Sequence, residues 1–410
     1  MRLFFTLARI LGLQASPPQS TSPLEMKSSK FNAFFLVTFM FSVSTLNYAN
    51  DQDVLINNEQ TGRLMADQNE AAWRAFNIDT VENYVIPNYR NLATANRDLY
   101  TATQAFCRTL TTASTEEWQS SLHNTKKAFN HSMDAWQLIQ NIYFGPIEIG
   151  MRHHSIQFWP DKKNHTGKQL NKLVVSKNEA ALMVNGFEKN SVSVKGLPAV
   201  ERLLFDDSAL DKFQSSPFSC EVLQGISRYL ADTANSLHDE WVTTMLPQFQ
   251  DAKQLDGYFE DDIDAATALL KALVEPIEVI RDLKLDRPLG SQFDKVKFKR
   301  LESWRSQRSL TNLQLNLKSL ETLFIGSTSE SIGLRSLLLK HETTEIQNNF
   351  NLVKMEISKF KAPLEEAILT DSGYQVAKTI SSSLTKLHKS LEEAITQSGI
   401  RLGFNSRDGD

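Results

Sequence analysis

Apolar residues recur at helical spacing from Glu70 onward. Trp73 and Phe76 open the pattern, and Val81, Tyr84, Val85 and Tyr89 continue it. Leu92, Leu99, Ala105 and Phe106 carry the same helix, or its direct continuation, to about Thr112. Ser114-Thr115-Glu116-Glu117 is a helix start, a hydroxyl cap followed by acids in the first turn. That second helix runs through Trp118, Leu122, Ala128, Met133, Trp136 and Ile139 to about Tyr143, where Gly145-Pro146 ends it. From Ile147 to Lys195 the periodicity is lost. Val174-Val175 reads as a short extended piece. So does Ser191-Val192-Ser193-Val194, which alternates polar and apolar as a half-buried strand does, with a helical stretch from Asn178 to Val184 between them. The segment predicts an irregular excursion, and loops of this length are more often functional than structural. A short helix follows over Gly196–Phe205 and a long one from about Pro217 to Met245. Further helices are predicted over 262–284, 293–324, 331–361 and 374–399. Gly257-Tyr258-Phe259, Leu285 to Gly290, Gly326 to Ser329 and Ala362-Pro363 separate them.

Composition agrees with this all-helical reading. Glycine and proline, 16 and 12 of 410 residues, fall below the average usage of about 7% and 5%, so helix breakers are few. The length suits two domains. Net charge is −4, which gives no electrostatic case for nucleic acid.

Residues 1–49 carry an export signal, with Met26 as the expected true start. Met26-Lys27-Ser28-Ser29-Lys30 is a basic opening, Phe31 to Leu46 is apolar, and Asn47-Tyr48-Ala49 ends on a small residue. An uncleaved anchor is the alternative, although the run is short for a span of about 20 apolar residues. No cysteine lies near the cleavage point, so the expected product is periplasmic or secreted, not lipid-anchored. No later apolar run is long enough to span a membrane. Cys107 and Cys220 are the only cysteines. In an oxidising compartment they have one intramolecular pairing available; the alternative is two buried thiols packed as small apolar groups.

Lys195-Gly196-Leu197-Pro198-Ala199-Val200-Glu201-Arg202-Leu203-Leu204-Phe205 starts a buried helix. Gly196 permits the entry, Pro198 is tolerated in a first turn, and Leu197, Val200 and Leu204 share a face. Glu201 is a carboxylate set into that apolar stripe. It is held by the helix terminus or aimed into a site.

Gly196 and Glu201 resemble the Gly-x-His-x-x-Glu motif of the imelysin-like family, with Pro198 where the family has histidine. Tyr143-Phe144-Gly145-Pro146, Phe158-Trp159-Pro160-Asp161, Glu302-Ser303-Trp304-Arg305-Ser306 and the ending Gly403-Phe404-Asn405-Ser406 look like segments that recur in that family, in the same order. The resemblance spans nearly all the chain after residue 70. It implies a bacterial, periplasmic or surface-attached protein connected with iron uptake, built from two helical bundles with the motif at their junction. The bundles are expected over 50–250 and 251–410. A weak internal duplication agrees with this: a helix with Trp136 precedes Gly196-Leu197, and a helix with Trp304 precedes Gly333-Leu334. The longer spacing in the first half fits an irregular insertion there, the segment with Trp159.

The family was named for a proposed metallopeptidase, and this chain is poorly equipped for one. It has no His-Glu-x-x-His; His341-Glu342-Thr343-Thr344-Glu345 is the nearest and lacks the second histidine. With Pro198 in the motif only Glu201 remains as a ligand for iron or another metal ion, whereas a catalytic zinc site uses three protein ligands. His153 and His154 are adjacent, so their side chains diverge along a helix or strand. No nucleophile elbow or phosphate-binding glycine loop is present. Trp159, Asp161, Trp304 and Arg305, with Arg152 before them, are either packing anchors or the walls of a cleft for an anionic or sugar-like ligand. As an anchor, Arg305 would pair with Glu201, Glu302 or Asp161.

The resulting expectation is an exported, non-enzymatic binding protein in iron acquisition at the cell envelope. Its partner would be a small ligand or other iron-uptake components. A metal-dependent peptidase or other hydrolase, and a structural envelope protein, are the alternatives.

Overall fold

In the computed structural model, residues 69–403 are described, apart from 113 and 208, and every regular element among them is helical. The export segment and Phe404-Asn405-Ser406 lie outside the described residues. Helix α1 covers 69–112, made of 69–80, a π-helical turn Val81–Val85 and Ile86–Thr112. Helix α2 is Thr115–Gln137. Its start is the predicted capping box: Ser114 Oγ accepts from the Glu117 amide at 3.3 Å, and Glu117 Oε2 accepts from the Ser114 amide at 2.9 Å. The excursion contributes α3, His165–Ser176. Helix α4 is Leu197–Phe205. Helix α5 runs Phe218–Glu240, through a π turn Trp241–Met245, into Leu246–Gln250.

Helix α6 is Asp262–Glu278, again continued by a π stretch Val279–Asp286 and by Arg287–Leu289. Helices α7, Ser309–Ile325, α8, Lys340–Ile357, and α9, Asp371–Gln397, complete the bundle.

Helix α1 packs along α2 and α5, and α9 packs along α8 and α6. The Cys107–Cys220 disulfide joins α1 to α5. Tyr89 stacks on Trp241 at 5.8 Å farther back on α1 and farther on along α5, so the two helices are antiparallel. Helix α7 reaches both sets, touching α2, α8 and the π stretch of α6. It is tied by polar contacts: Asn316 Nδ2 donates to the Gln137 carbonyl at 2.9 Å, and Ser319 Oγ lies 2.6 Å from the Tyr84 hydroxyl.

Five expectations change, the last being the 331–361 helix, which begins only at Lys340 after a 3-10 turn Leu334–Leu337. Val174 and Val175 lie in α3, which buries Leu170 and Leu173 one turn apart. Ser191–Val194 is not a strand but a cap and a 3-10 turn, Val192–Val194. The Asn178–Val184 stretch becomes a 3-10 turn, Glu179–Leu182. Neither extended piece has a partner strand among the described residues, and a lone strand would leave its backbone donors unpaired. The fourth change bears on the site. The 293–324 helix begins only at Ser309. Before it come 3-10 turns Phe293–Lys295 and Phe298–Arg300 and a loop through Leu301–Gln307. Trp304 therefore sits in a loop, and a helix with Trp304 is not part of any duplication.

Among the described residues no helix is long and apolar enough to cross a membrane.

Candidate functional site

The site is built where α4, the Trp159 segment and the Trp304 loop meet. Helix α4 enters through Gly196, which is required by close approach: a Cβ there would lie 2.3 Å from the Ile156 carbonyl oxygen. The backbone of Ser155 and Ile156 can therefore rest directly on the helix entry. Pro198 occupies the first turn of α4, where no intrahelical N–H is lost. Leu197, Val200 and Leu204 are buried as the periodicity predicts, and Glu201 is 4% exposed.

Glu201 does not pair directly with Arg305. Its Oε1 accepts from the Ser306 amide at 3.0 Å and lies 2.7 Å from the Ser306 hydroxyl. Ser303 and Gln307, both with positive φ (53° and 54°), bend the loop that presents Ser306. The Arg305 guanidinium instead pairs with Asp206, just past the end of α4, and stacks over Trp304 with its carbon 4.2 Å from the ring centroid. Lys299 Nζ lies 5.5 Å from the same centroid. Asp161 accepts from the amides of His165 and Thr166, both at 2.8 Å, and so caps α3. Those amide bonds hold its carboxyl below the usual range even though partial burial works the other way.

These groups enclose a cavity of about 510 Å³. Of the residues singled out from the sequence, Trp159, Asp161, Pro198, Glu201, Trp304 and Arg305 line it. Gly196 does not line it but forms the entry of α4, and Arg152 is elsewhere, clamped bidentately on Glu240 at 2.6 and 2.8 Å. Sequence reasoning missed Arg287 and Arg300, which also line the cavity. Arg287 falls within the predicted break Leu285 to Gly290 and Arg300 at the end of the 3-10 turn Phe298–Arg300, and nothing in the local pattern marks them.

A second cavity, of about 400 Å³, lies on the other side of Gln157, Trp159 and Pro160 and is faced by His153 and His154. The wall between them rests on a buried polar network. Lys284 Nζ donates to Glu302 Oε2, Gln137 Oε1 and Asn316 Oδ1 at 2.9, 3.0 and 2.7 Å. Gln157 Nε2 donates to Glu302 Oε1 at 2.7 Å.

Burial raises the pKa of Glu201 above its ordinary 4.5, against the opposing effects of Ser306 and the nearby Arg305 charge. A raised folded-state pKa contributes stability that is complete below the ordinary value and drains away as pH rises through the raised one. Wild-type protein is thus expected to lose stability with rising pH relative to Glu201→Gln, which keeps an acceptor for Ser306 and has no charge to bury. Glu201→Ala should cost about 1–3 kcal/mol at any pH, because the Ser306 donors lose their acceptor. Urea melts across a pH series decide it; parallel profiles for wild type and Glu201→Gln would refute the assignment.

The donor set does not fit a resident metal. Glu201 is directed at Ser306, Pro198 offers no ligand, and no group of three or more His, Cys, Asp and Glu among the described residues has the geometry to hold an ion. What the arrangement can do is enclose and orient a small molecule between two indoles and several guanidinium groups.

Fold and site together define an all-helical bundle protein with a ligand-sized cleft beside a short motif helix. The chain belongs to the imelysin family: the family's sequence profile, described as Imelysin and named for a peptidase, matches residues 85–391. Two solved structures share the fold. One is an imelysin-like protein from Psychrobacter arcticum, 17% identical, covering 82% of this chain and 98% of its own, with a TM-score of 0.64. The other is described as a candidate iron-regulated protein A precursor from Parabacteroides distasonis, 16% identical, covering 80% and 95%, with a TM-score of 0.66. No curated protein matches the chain in sequence.

Proposed function

We propose that this protein is an exported, non-enzymatic binding protein that serves iron acquisition at the bacterial cell envelope. On this reading residues 50–250 and 251–410 are its two halves, and the cleft beside α4 holds the ligand. The observation that carries it is the role of Glu201. The motif carboxylate is buried and spent on Ser306, as a wall element of the cavity, and is not poised as a base or metal ligand. The iron connection is supported by family membership and by the description of the Parabacteroides neighbour. The partners are a small ligand and other iron-uptake components of the envelope.

The expected result is a rise in the level of the protein when its host is starved of iron, with the mature form recovered from the periplasm or medium. An unchanged level under starvation overturns the iron role. Metal-dependent peptide hydrolysis by the purified protein, lost on chelation, overturns the non-enzymatic one.

A further inference from the structure

We propose that the cleft beside α4 takes a compact polyanion bearing two or more carboxylate or phosphate groups, held by Arg202, Arg287 and Arg300. The inference rests on the binding-protein reading above and names the chemistry of the ligand.

The cavity is lined by six cationic side chains and two carboxylates. Both carboxylates are committed: Asp161 to the amides of α3, and Glu201 to Ser306. Arg305 is neutralised by Asp206, and Lys299 leans on Trp304. Arg202, Arg287 and Arg300 line the same cavity with no hydrogen-bonded or ion-pair partner among the described residues. One guanidinium nitrogen of Arg287, Nη1, is fully buried without an acceptor. Buried donors are normally satisfied, so an orphaned one needs an explanation.

The charges are also placed against one another. Burial first, then the charge of Arg300, works against the Arg287 guanidinium. Burial and then Arg305 do the same to Arg202, where Asp206, Asp161 and Glu201 only partly compensate. Arg287 and Arg300, like-charged and lining one cavity, are costly alone, and an anion beside them relieves the repulsion. Guanidinium forks match carboxylate and phosphate oxygens bidentately, which favours a ligand with several such groups over a single point charge. The whole chain carries a net charge of −4, so the attraction is local to the cleft and not a general property of the surface. Trp159 and Trp304 supply stacking surface around the charges, and their fluorescence reports occupancy.

The test uses the purified full chain at low ionic strength, titrated with citrate, with pyrophosphate and with sucrose as a neutral control. Calorimetry and tryptophan fluorescence are the readouts. Saturable binding of citrate or pyrophosphate, weakening as sodium chloride is raised, is expected. Citrate alone marks a carboxylate ligand and pyrophosphate alone a phosphate ligand. Arg287→Gln should weaken binding about ten- to hundredfold, the loss of one charged hydrogen-bonding group, while the unliganded melting temperature holds or rises because a repulsion has gone. Arg300→Gln, at an exposed position, should weaken binding without touching the fold.

Unchanged affinity in both variants overturns the inference, as does failure of both anions to bind. Should sucrose, or ferric ion added in a separate titration, bind instead, the anionic ligand is wrong and the binding-protein reading stands. If none of these probes changes the tryptophan signal or releases heat, both fall.

Discussion

Replacing Lys284 by methionine is expected to remove about 3–5 kcal/mol of stability, the cost of stranding a buried charge. Lys284 and Glu302 are 4% and 2% exposed, and their charged atoms lie 2.9 Å apart. All three ammonium donors are used, on Glu302, Gln137 and Asn316. The variant leaves the Glu302 carboxylate inside the protein with only the neutral donors of Gln157 and Asn312. Lys284→Met combined with Glu302→Gln should recover a large part of the loss, because no unpaired charge remains. Denaturant melts on the two single variants and the double give the coupling directly. Additive effects, or a loss under about 1 kcal/mol as at a solvated surface pair, would show that the charges do not depend on each other. Glu302 also holds Gln157, which lines both cavities, so the single variant should disturb binding in the cleft beside α4 as well.

Removing the disulfide by Cys107→Ala with Cys220→Ala is expected to cost about 2–5 kcal/mol. The bridged residues are 113 positions apart, and long loops are those for which the chain-entropy model assigns the largest effect on the unfolded state. The bridge reinforces a junction that is already packed. Phe106 meets Phe213 edge-on at 5.0 Å and Trp118 at 5.7 Å. The variant should therefore fold and bind as wild type does, and melt earlier. Reductant should lower the wild-type melting temperature and leave the variant unmoved. Equal melting temperatures for wild type and variant in the absence of reductant would refute a stabilising role.

Much of the fold was legible because its information is local. The Ser114–Glu117 capping box lies within four consecutive residues, and its two hydrogen bonds follow from that order alone. The long helices announce themselves by apolar spacing, and Trp73, Tyr89, Phe106, Trp136 and Trp241 are all essentially buried. The entry to α4 was readable for the same reason: Gly196, Pro198 and the Leu197–Val200–Leu204 face form one short motif. With only two cysteines the one available pairing was Cys107 with Cys220, and the structure forms it.

Where the outcome depended on neighbours distant in sequence, the pattern misled. Ser191–Val194 alternates like a strand, but a strand needs a partner, and the chain supplies a turn. The 293–308 segment is spaced as a helix would be, yet it wraps the cleft as turns and a loop that carries Trp304. The partner of Arg305 is Asp206 and none of Glu201, Glu302 and Asp161, because Asp206 and Glu201 are only about one turn apart and which one it meets is a matter of loop geometry.

The sequence by itself determined the helical class, the motif helix with Glu201 inside it, and which two cysteines could pair, since each is written in spacing along one stretch or in the count of one residue type. Only the tertiary structure decided that Ser306 donates to Glu201, that Lys284 and Glu302 share the buried network, and that Arg202, Arg287 and Arg300 face one space. The reason is that charge acts through distance in space. Three arginines from α4, from the end of α6 and from the turn before the Trp304 loop have no spacing in common, and they become one site only after the helices that carry them have packed.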